Sequence, residues 1–138
     1  MKVPHGNWFE SPWQDIRSGI RQVTLDTNLE HLCCTVGHVE NGNEINPHSH
    51  ENEQIAIVLE GECDYYVDGS MYHMTPGSWI AIPPRSVHYT HVYNSAIPCL
   101  QLSIYYPNRE EYQESYRQFC QRLSQNEEKS ARDAGNSR

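Results

Sequence analysis

Eight short β-prone segments follow one another through most of this chain, separated by glycine, proline and other turn residues. They span residues 20–26, 29–39, 53–60, 62–67, 71–74, 78–82, 87–93 and 98–106. Asp68-Gly69, between two of these segments, is a hairpin signal because glycine accepts a positive φ. Short strands at this spacing predict an all-β sandwich or barrel, which would occupy residues 20–107.

The chain on either side of these segments has a different pattern. Residues 1–19 are rich in Trp, Pro and Gly, and we expect an arm that packs Trp8, Phe9 and Trp13 over the barrel. After residue 107 the apolar period becomes helical, which predicts a helix over 108–124 with Asn108 as its N-cap. Its apolar stripe comprises Tyr112, Tyr116, Phe119, Cys120 and Leu123. Residues 125–138 are polar, and we expect a disordered tail there.

Charge and cysteine content limit the function classes that fit the chain. The formal net charge of −8 argues against nucleic acid and against an anionic membrane surface as partners. The N-terminus lacks an apolar signal segment, and no apolar run reaches membrane-span length. Five cysteines without a CxxC pair fit a reduced cytoplasmic compartment. Before the C-terminal helix the cations that could bind an anionic substrate are few: Lys2, Arg17, Arg21, Arg85 and Arg109.

The strongest chemical pattern is a pair of histidines two residues apart, followed by a carboxamide. Because strand side chains alternate between faces, His48, His50 and Gln54 share one side of a sheet, whereas Glu53 points away. His88 supplies a third imidazole from a later segment. We therefore predict one divalent metal ion per chain at these four residues, either Fe(II), Mn(II), Ni(II) or Zn(II).

Glutamine instead of a carboxylate changes the charge of the predicted centre. Three imidazoles and an amide oxygen leave the full positive charge on the ion, which makes a stronger Lewis acid and favours an anionic substrate. The same ligand set disfavours Fe(III) relative to Fe(II). Non-redox isomerisation, ring opening or elimination is therefore favoured, although a neutral ligand set also permits oxygen chemistry.

These residues resemble the two sequence motifs of the cupin superfamily. The first motif is matched, with Gln in place of Glu, by Gly42, His48, His50, Gln54 and Gly61. The second is matched, with altered spacing, by Gly69, Pro76, Gly77, Pro83 and His88. The resemblance covers roughly residues 30–106 and implies a jelly-roll barrel of two packed sheets with a metal inside one mouth.

The end of the last strand is similar to that of small single-domain cupins that linearise unsaturated uronates. The resemblance implies that Arg109 clamps a substrate carboxylate and that Tyr105 is the aromatic residue of the site. Ser103 stands where those proteins have a catalytic aspartate, and a hydroxyl cannot replace a carboxylate as a base near neutral pH. Arg85, in the loop before His88, is a further candidate for holding a carboxylate at the mouth.

Three hypotheses for function stay open on the sequence. The first is a metal-dependent isomerase or lyase that acts on an oxygenated, carboxylated small molecule. The second is a non-haem Fe(II) dioxygenase, and the third is a non-catalytic ligand-binding cupin. Exposed sheet edges and the aromatic N-terminal arm lead us to expect a homodimer.

Overall fold

The structure is a computed structural model that describes residues 2–136 of the chain. It contains a short 3-10 helix, nine strands and one long helix. In chain order these are the 3-10 helix Trp8–Glu10, β1 Gln14–Arg17, β2 Ile20–Leu25, β3 Cys33–Val39, β4 Glu53–Glu60, β5 Cys63–Val67, β6 Ser70–Met74, β7 Trp79–Ile82, β8 His88–His91, β9 Cys99–Tyr106 and α1 Glu110–Asn136.

The strands form two antiparallel sheets that enclose one interior. The six-stranded sheet has the order β1-β2-β3-β9-β4-β7, and the three-stranded sheet has the order β6-β5-β8. Val39, Val58 and Cys99 of the larger sheet share one buried apolar cluster with Met74 of the smaller sheet and with Val92. The predicted all-β jelly-roll barrel with a C-terminal helix is confirmed.

Strand β4 shows how the sequence pattern produces this interior. Gln54, Ala56 and Val58 are buried, and the residues between them are partly exposed. A period of two is expected where one face of a strand meets a core. The strand is central, because it pairs with β9 on one side and with β7 on the other.

Two glycines meet different demands in the turns of the barrel. Gly69 follows Asp68 in the predicted hairpin, and both residues have positive φ, at 85° and 48°. Gly61 has a φ of 72°, and a Cβ placed there would lie 2.7 Å from the oxygen of Pro98 and 2.9 Å from the Cα of Cys99. Gly61 therefore needs both an unusual backbone conformation and the absence of a side chain.

The N-terminal region is more regular than the sequence indicated. Gln14–Arg17 forms strand β1 and pairs with β2, so the sheet begins before residue 20. Trp13 lies edge-on to the ring of His38, but Phe9 is 68% exposed and does not pack on the barrel as predicted. Backbone pairing with β2, rather than aromatic packing alone, holds this segment.

The C-terminal helix is longer than predicted. It runs from Glu110 to Asn136, so the expected disordered tail is helical as far as the structure describes it, and residues 137–138 lie outside that part. Residues 125–134 contain Glu, Gln, Lys, Arg and Ala without proline. These residues favour helix without needing burial, which the polarity argument overlooked.

The start of this helix also differs from the prediction. The side-chain oxygen of Asn108 is buried without a partner, so Asn108 does not cap the helix. Its amide nitrogen instead donates to the oxygens of Leu29 and Gln113. The apolar stripe does dock on the barrel, where Tyr116 is buried and its hydroxyl donates to the oxygen of Pro12 at 2.7 Å.

Candidate metal centre

Three histidines meet at one end of the barrel interior. His48 and His88 form an isolated β-bridge, with backbone N···O distances of 3.2 and 2.9 Å. This bridge places their rings 4.4 Å apart, and the ring of His50 lies 4.8 Å from that of His88. The sequence analysis used strand alternation to group His48 and His50 with Gln54, but both histidines precede strand β4, and the bridge to His88 sets their arrangement.

Hydrogen bonds to the backbone fix the tautomer of all three imidazoles. Each Nδ1 contacts a carbonyl oxygen: His48 that of Asn46 at 2.7 Å, His50 that of Asn52 at 3.1 Å, and His88 that of Ser86 at 2.8 Å. A carbonyl can only accept, so each Nδ1 carries the proton and each Nε2 keeps its lone pair. One ring nitrogen from each histidine lies within 4.8 Å of the other two.

Gln54 directs its amide oxygen at this group. The residue is 4% exposed, and its Nε2 donates to Oγ of Ser103 at 3.1 Å. Its Oε1 lies 3.1 Å from Nε2 of His50. The amide therefore lies against the three imidazoles, with its nitrogen on Ser103 and its oxygen toward His50. Glu53, the alternative ligand, is exposed.

The electrostatic environment keeps the imidazoles neutral. Burial lowers the pKa of His48, His50 and His88, and the positive charge of Arg109 adds to the effect on each. For His88 the pKa falls to about 4. Neutral imidazole is the form that binds metal ions.

The donor set fits a divalent ion. His88 is 2% exposed, and its Nε2 is buried without a hydrogen-bond partner, which is costly unless something binds it. Three imidazole nitrogens with one amide oxygen are ligands that Fe, Mn, Ni and Zn accept. The backbone contacts of the three Nδ1 atoms are the supporting interactions that metal-bound histidines commonly have. His48, His50, Gln54 and His88 could therefore hold such an ion.

Arg109 lies next to this centre in an unusual setting. It is buried, and its guanidinium carbon lies 3.8 Å from the ring centroid of Tyr112 and 5.1 Å from that of Tyr105. Its Nε donates to Glu111 at 2.8 Å, whereas its Nη1 is buried and has no partner. Stacking on tyrosine fixes the guanidinium plane, and the free Nη1 is a donor suited to a carboxylate.

Tyr105 is the second predicted site residue that the structure brings to the centre. Its ring lies 5.6 Å from that of His50, and the residue is 5% exposed. Burial raises the pKa of the phenol, so the hydroxyl remains protonated and can act as a donor. Ser103, which orients Gln54, lies two residues earlier on the same strand and therefore on the same face.

Arg85 is placed differently. Its side chain is 71% exposed and pairs with Glu51 at 3.0 Å, and it is not among the residues that line the cavity. The loop that carries it does reach the site, because its backbone nitrogen donates to the oxygen of His50 at 2.8 Å. A role for its side chain in substrate binding stays a prediction.

The cavity beside the histidines is lined by several residues that the site prediction did not include, and Arg17 and Tyr112 are two of them. It has a volume of about 90 Å³ and is bounded by both sheets and by Tyr112 from the helix. One signal for Arg17 was its presence among few cations, but no strand was predicted there that would direct it inward.

The comparisons with known proteins agree with this geometry. A model of the cupin domain matches residues 35–105. The chain belongs to the cupin family. No curated protein sequence matches it, so structural similarity extends the comparison. None of the described helices has the length and apolarity needed to cross a membrane.

Solved cupin structures are similar over most of the chain. KdgF from Halomonas sp. is 22% identical with a TM-score of 0.71, over 81% of this chain and 99% of that one. An RmlC-like cupin from Shewanella frigidimarina NCIMB 400 is 23% identical with a TM-score of 0.70, over 80% and 96%. The polyketide cyclase RemF from Streptomyces resistomycificus is 21% identical with a TM-score of 0.65, over 77% and 80%. At these identities the likeness shows a shared fold.

Proposed function

We propose that this cupin is a metal-dependent enzyme that acts on an oxygenated, carboxylated small molecule by isomerisation, ring opening or elimination. The observation that carries the proposal is the convergence of three imidazoles, which have one ring nitrogen each within 4.8 Å of one another, while Nε2 of His88 is buried and has no partner. A divalent cation held by His48, His50, Gln54 and His88 would satisfy that nitrogen. An ion held only by neutral ligands supplies strong Lewis acidity, which polarises a carbonyl or hydroxyl oxygen.

The chain's own residues divide the remaining tasks. Arg109 holds the substrate carboxylate through its unpartnered Nη1, and Tyr112 keeps the guanidinium in plane. Tyr105 donates a hydrogen bond from a phenol that stays protonated. Ser103 positions Gln54 and is not a base, so the uronate reaction of similar small cupins is not assigned here. The similarity to a polyketide cyclase supports non-redox chemistry on this fold.

The same four ligands also suit Fe(II), because a neutral set does not favour its oxidation. A non-haem dioxygenase is therefore the alternative, and it predicts that turnover stops without oxygen. A non-catalytic cupin would bind ligand without forming product. The proposal includes a homodimer in a reducing, cytoplasmic compartment, which sedimentation and fractionation test separately.

Metal analysis of the purified protein by plasma mass spectrometry tests the proposal. We expect about one equivalent of Fe, Mn, Ni or Zn per chain, and its loss in a His48→Ala/His88→Ala variant. Zn, Ni or Mn favours the Lewis-acid reaction, whereas Fe requires oxygen-uptake assays. Absence of metal from the wild-type protein after reconstitution would contradict the proposal. His91→Ala is a matched control, because His91 lies on strand β8 but not among the cavity-lining residues.

A further inference from the structure

Arg17 is a cationic side chain on the wall of the metal cavity that the roles above leave unused. It lines the cavity together with Ile16, its neighbour in the chain. Consecutive residues of a regular strand point to opposite faces. Here the pairing of β1 with β2 shifts between Asp15 and Arg17, which makes Ile16 a bulge. A bulge next to a functional site changes the direction of the side chains that follow it. This bulge allows Arg17 as well as Ile16 to face the cavity.

The contacts of Arg17 hold it beside the metal ligands without neutralising it fully. Its two Nη atoms each lie 3.2 Å from one atom of the Asn46 side-chain amide, and they donate to it when the amide is oriented with its oxygen toward them. The backbone oxygen of Asn46 accepts from Nδ1 of His48. Its Nε lies 3.8 Å from Glu44, a carboxylate that is 61% exposed. Solvent-exposed ion pairs at this distance are weak. Asn46 fixes the position of the guanidinium, and much of its charge remains available to a ligand.

Arg17 and Arg109 approach the centre from different walls. Arg17 comes from β1 at the edge of the larger sheet, whereas Arg109 follows β9, with β2 and β3 lying between those strands. Arg17 lines the cavity itself, whereas Arg109 lies behind it and stacks on Tyr105 and Tyr112, two residues that line it. Two guanidinium groups this near to one small cavity stand out in a chain with a net charge of −8. Like charges beside a divalent ion are unfavourable unless anions accompany them.

We propose that Arg17 binds an anionic group of the ligand, and that the ligand carries two acidic groups, one for Arg17 and one for Arg109. The inference deepens the proposed function and rests on it for the location of the site. It names the substrate class as small dianionic molecules, above all dicarboxylates. Arg17 acts as a specificity-determining residue that selects the second acidic group.

Calorimetric titration with succinate, glutarate and adipate, each compared with its monoamide, tests whether Arg17 selects a second acidic group. We expect at least one diacid to bind the wild-type protein about tenfold or more tightly than its monoamide, the effect of one charge-assisted hydrogen bond. Arg17→Gln should reduce that preference to about twofold or less, and Arg17→Lys should retain part of it. Arg21→Gln removes the same charge from the next strand, where Arg21 is exposed and contacts His38; it should keep the preference.

Circular dichroism and thermal unfolding establish that each variant is folded. Equal preference in the wild-type protein and in Arg17→Gln would overturn the inference, as would a wild-type protein that favours none of the three diacids. Metal content separates this result from the proposed function. A protein without metal that still selects diacids through Arg17 would support the inference and contradict the enzyme proposal. A metal-loaded protein without this selectivity would contradict the inference alone.

Discussion

The barrel interior has a polar end and an apolar end, and strand β4 runs through both. Gln54, Ala56 and Val58 face inward in succession. Gln54 meets the histidines, whereas Ala56 and Val58 belong to the apolar cluster. The backbone alternation that places these side chains inside is identical for all three. The difference between holding the fold and holding a metal therefore comes from side-chain chemistry at positions that are geometrically equivalent.

The two ends also achieve order in different ways. The apolar end depends on close packing, where a lost methyl group leaves a void. The polar end depends on directed hydrogen bonds, such as that from Tyr65 to Gln101 at 3.2 Å and from Gln101 to Thr90 at 2.9 Å. Substitutions at the apolar end should therefore lower stability, and those at the polar end should mainly change metal or ligand binding.

Truncation at the apolar end should have the largest effect on stability. Met74 is 3% exposed, belongs to the apolar cluster and pairs with Cys63 across β6 and β5. Met74→Ala should lower the free energy of unfolding by about 2–5 kcal/mol, through lost burial and a cavity. Urea unfolding measures this change, and metal stoichiometry should stay the same. Loss of metal from the folded variant would show that the two ends are not separable.

Gly61 should be the most sensitive turn position. Gly61→Ala places a Cβ against Pro98 and Cys99 in a left-handed conformation, and should cost about 2–4 kcal/mol. Gly69→Ala is the matched control, since Gly69 also has positive φ but open space around it. Unfolding curves of the two variants should differ clearly. Equal losses would mean that the close approach at Gly61 contributes nothing.

The polar end should make the metal-free protein sensitive to acid. The pKa of His88 is lowered to about 4 in the folded chain, whereas it is about 6.5 in the unfolded one. The unfolded chain therefore binds more protons between these values, and stability falls as the pH decreases from about 6.5 to about 4, by up to about 3 kcal/mol. Thermal unfolding across this range measures the loss. His88→Gln should show a shallower dependence, and an unchanged slope would contradict the explanation.

The smallest effect is expected on metal affinity, when the hydrogen bond that supports the candidate ligand Gln54 is removed. Ser103→Ala deletes the acceptor that orients the Gln54 amide, and should weaken metal binding by about 10–100-fold. Competition with a fluorescent chelator measures this affinity. Ser78→Ala is a matched control, because the hydroxyl of Ser78 contacts the backbone nitrogen and the hydroxyl of Thr75 in its own turn. Equal affinity in all three proteins would show that Gln54 does not need Ser103.

Local signals in the sequence predicted a large part of this molecule. Strand β4 was predicted with its observed bounds, and the Asp68-Gly69 hairpin was predicted from its turn residues. Strand β1 was missed because Gln14–Arg17 has no alternation and gains its order from pairing with β2. The helix beyond residue 124 was missed because its polarity was interpreted as disorder, although its residues have good helix propensity.

The candidate site shows the same division. His48, His50 and Gln54, which parity grouped, do lie together, although a bridge to His88 rather than a regular strand positions His48. The position of Arg85 in its loop did not reveal that its side chain turns to Glu51. Arg17 could not be placed at all, because its direction depends on a bulge whose partner strand lies elsewhere in the chain.

The sequence by itself determined most of the strand pattern, the family and the candidate metal-ligating residues, because alternation and turn chemistry are local properties. Only the tertiary structure decided that Arg17 lines the cavity, that Arg109 is buried beside it and that Arg85 remains in solvent. Those outcomes depend on pairing between distant strands and on burial. The bridge between His48 and His88, for example, joins residues that are far apart in the sequence and forms only when the chain folds.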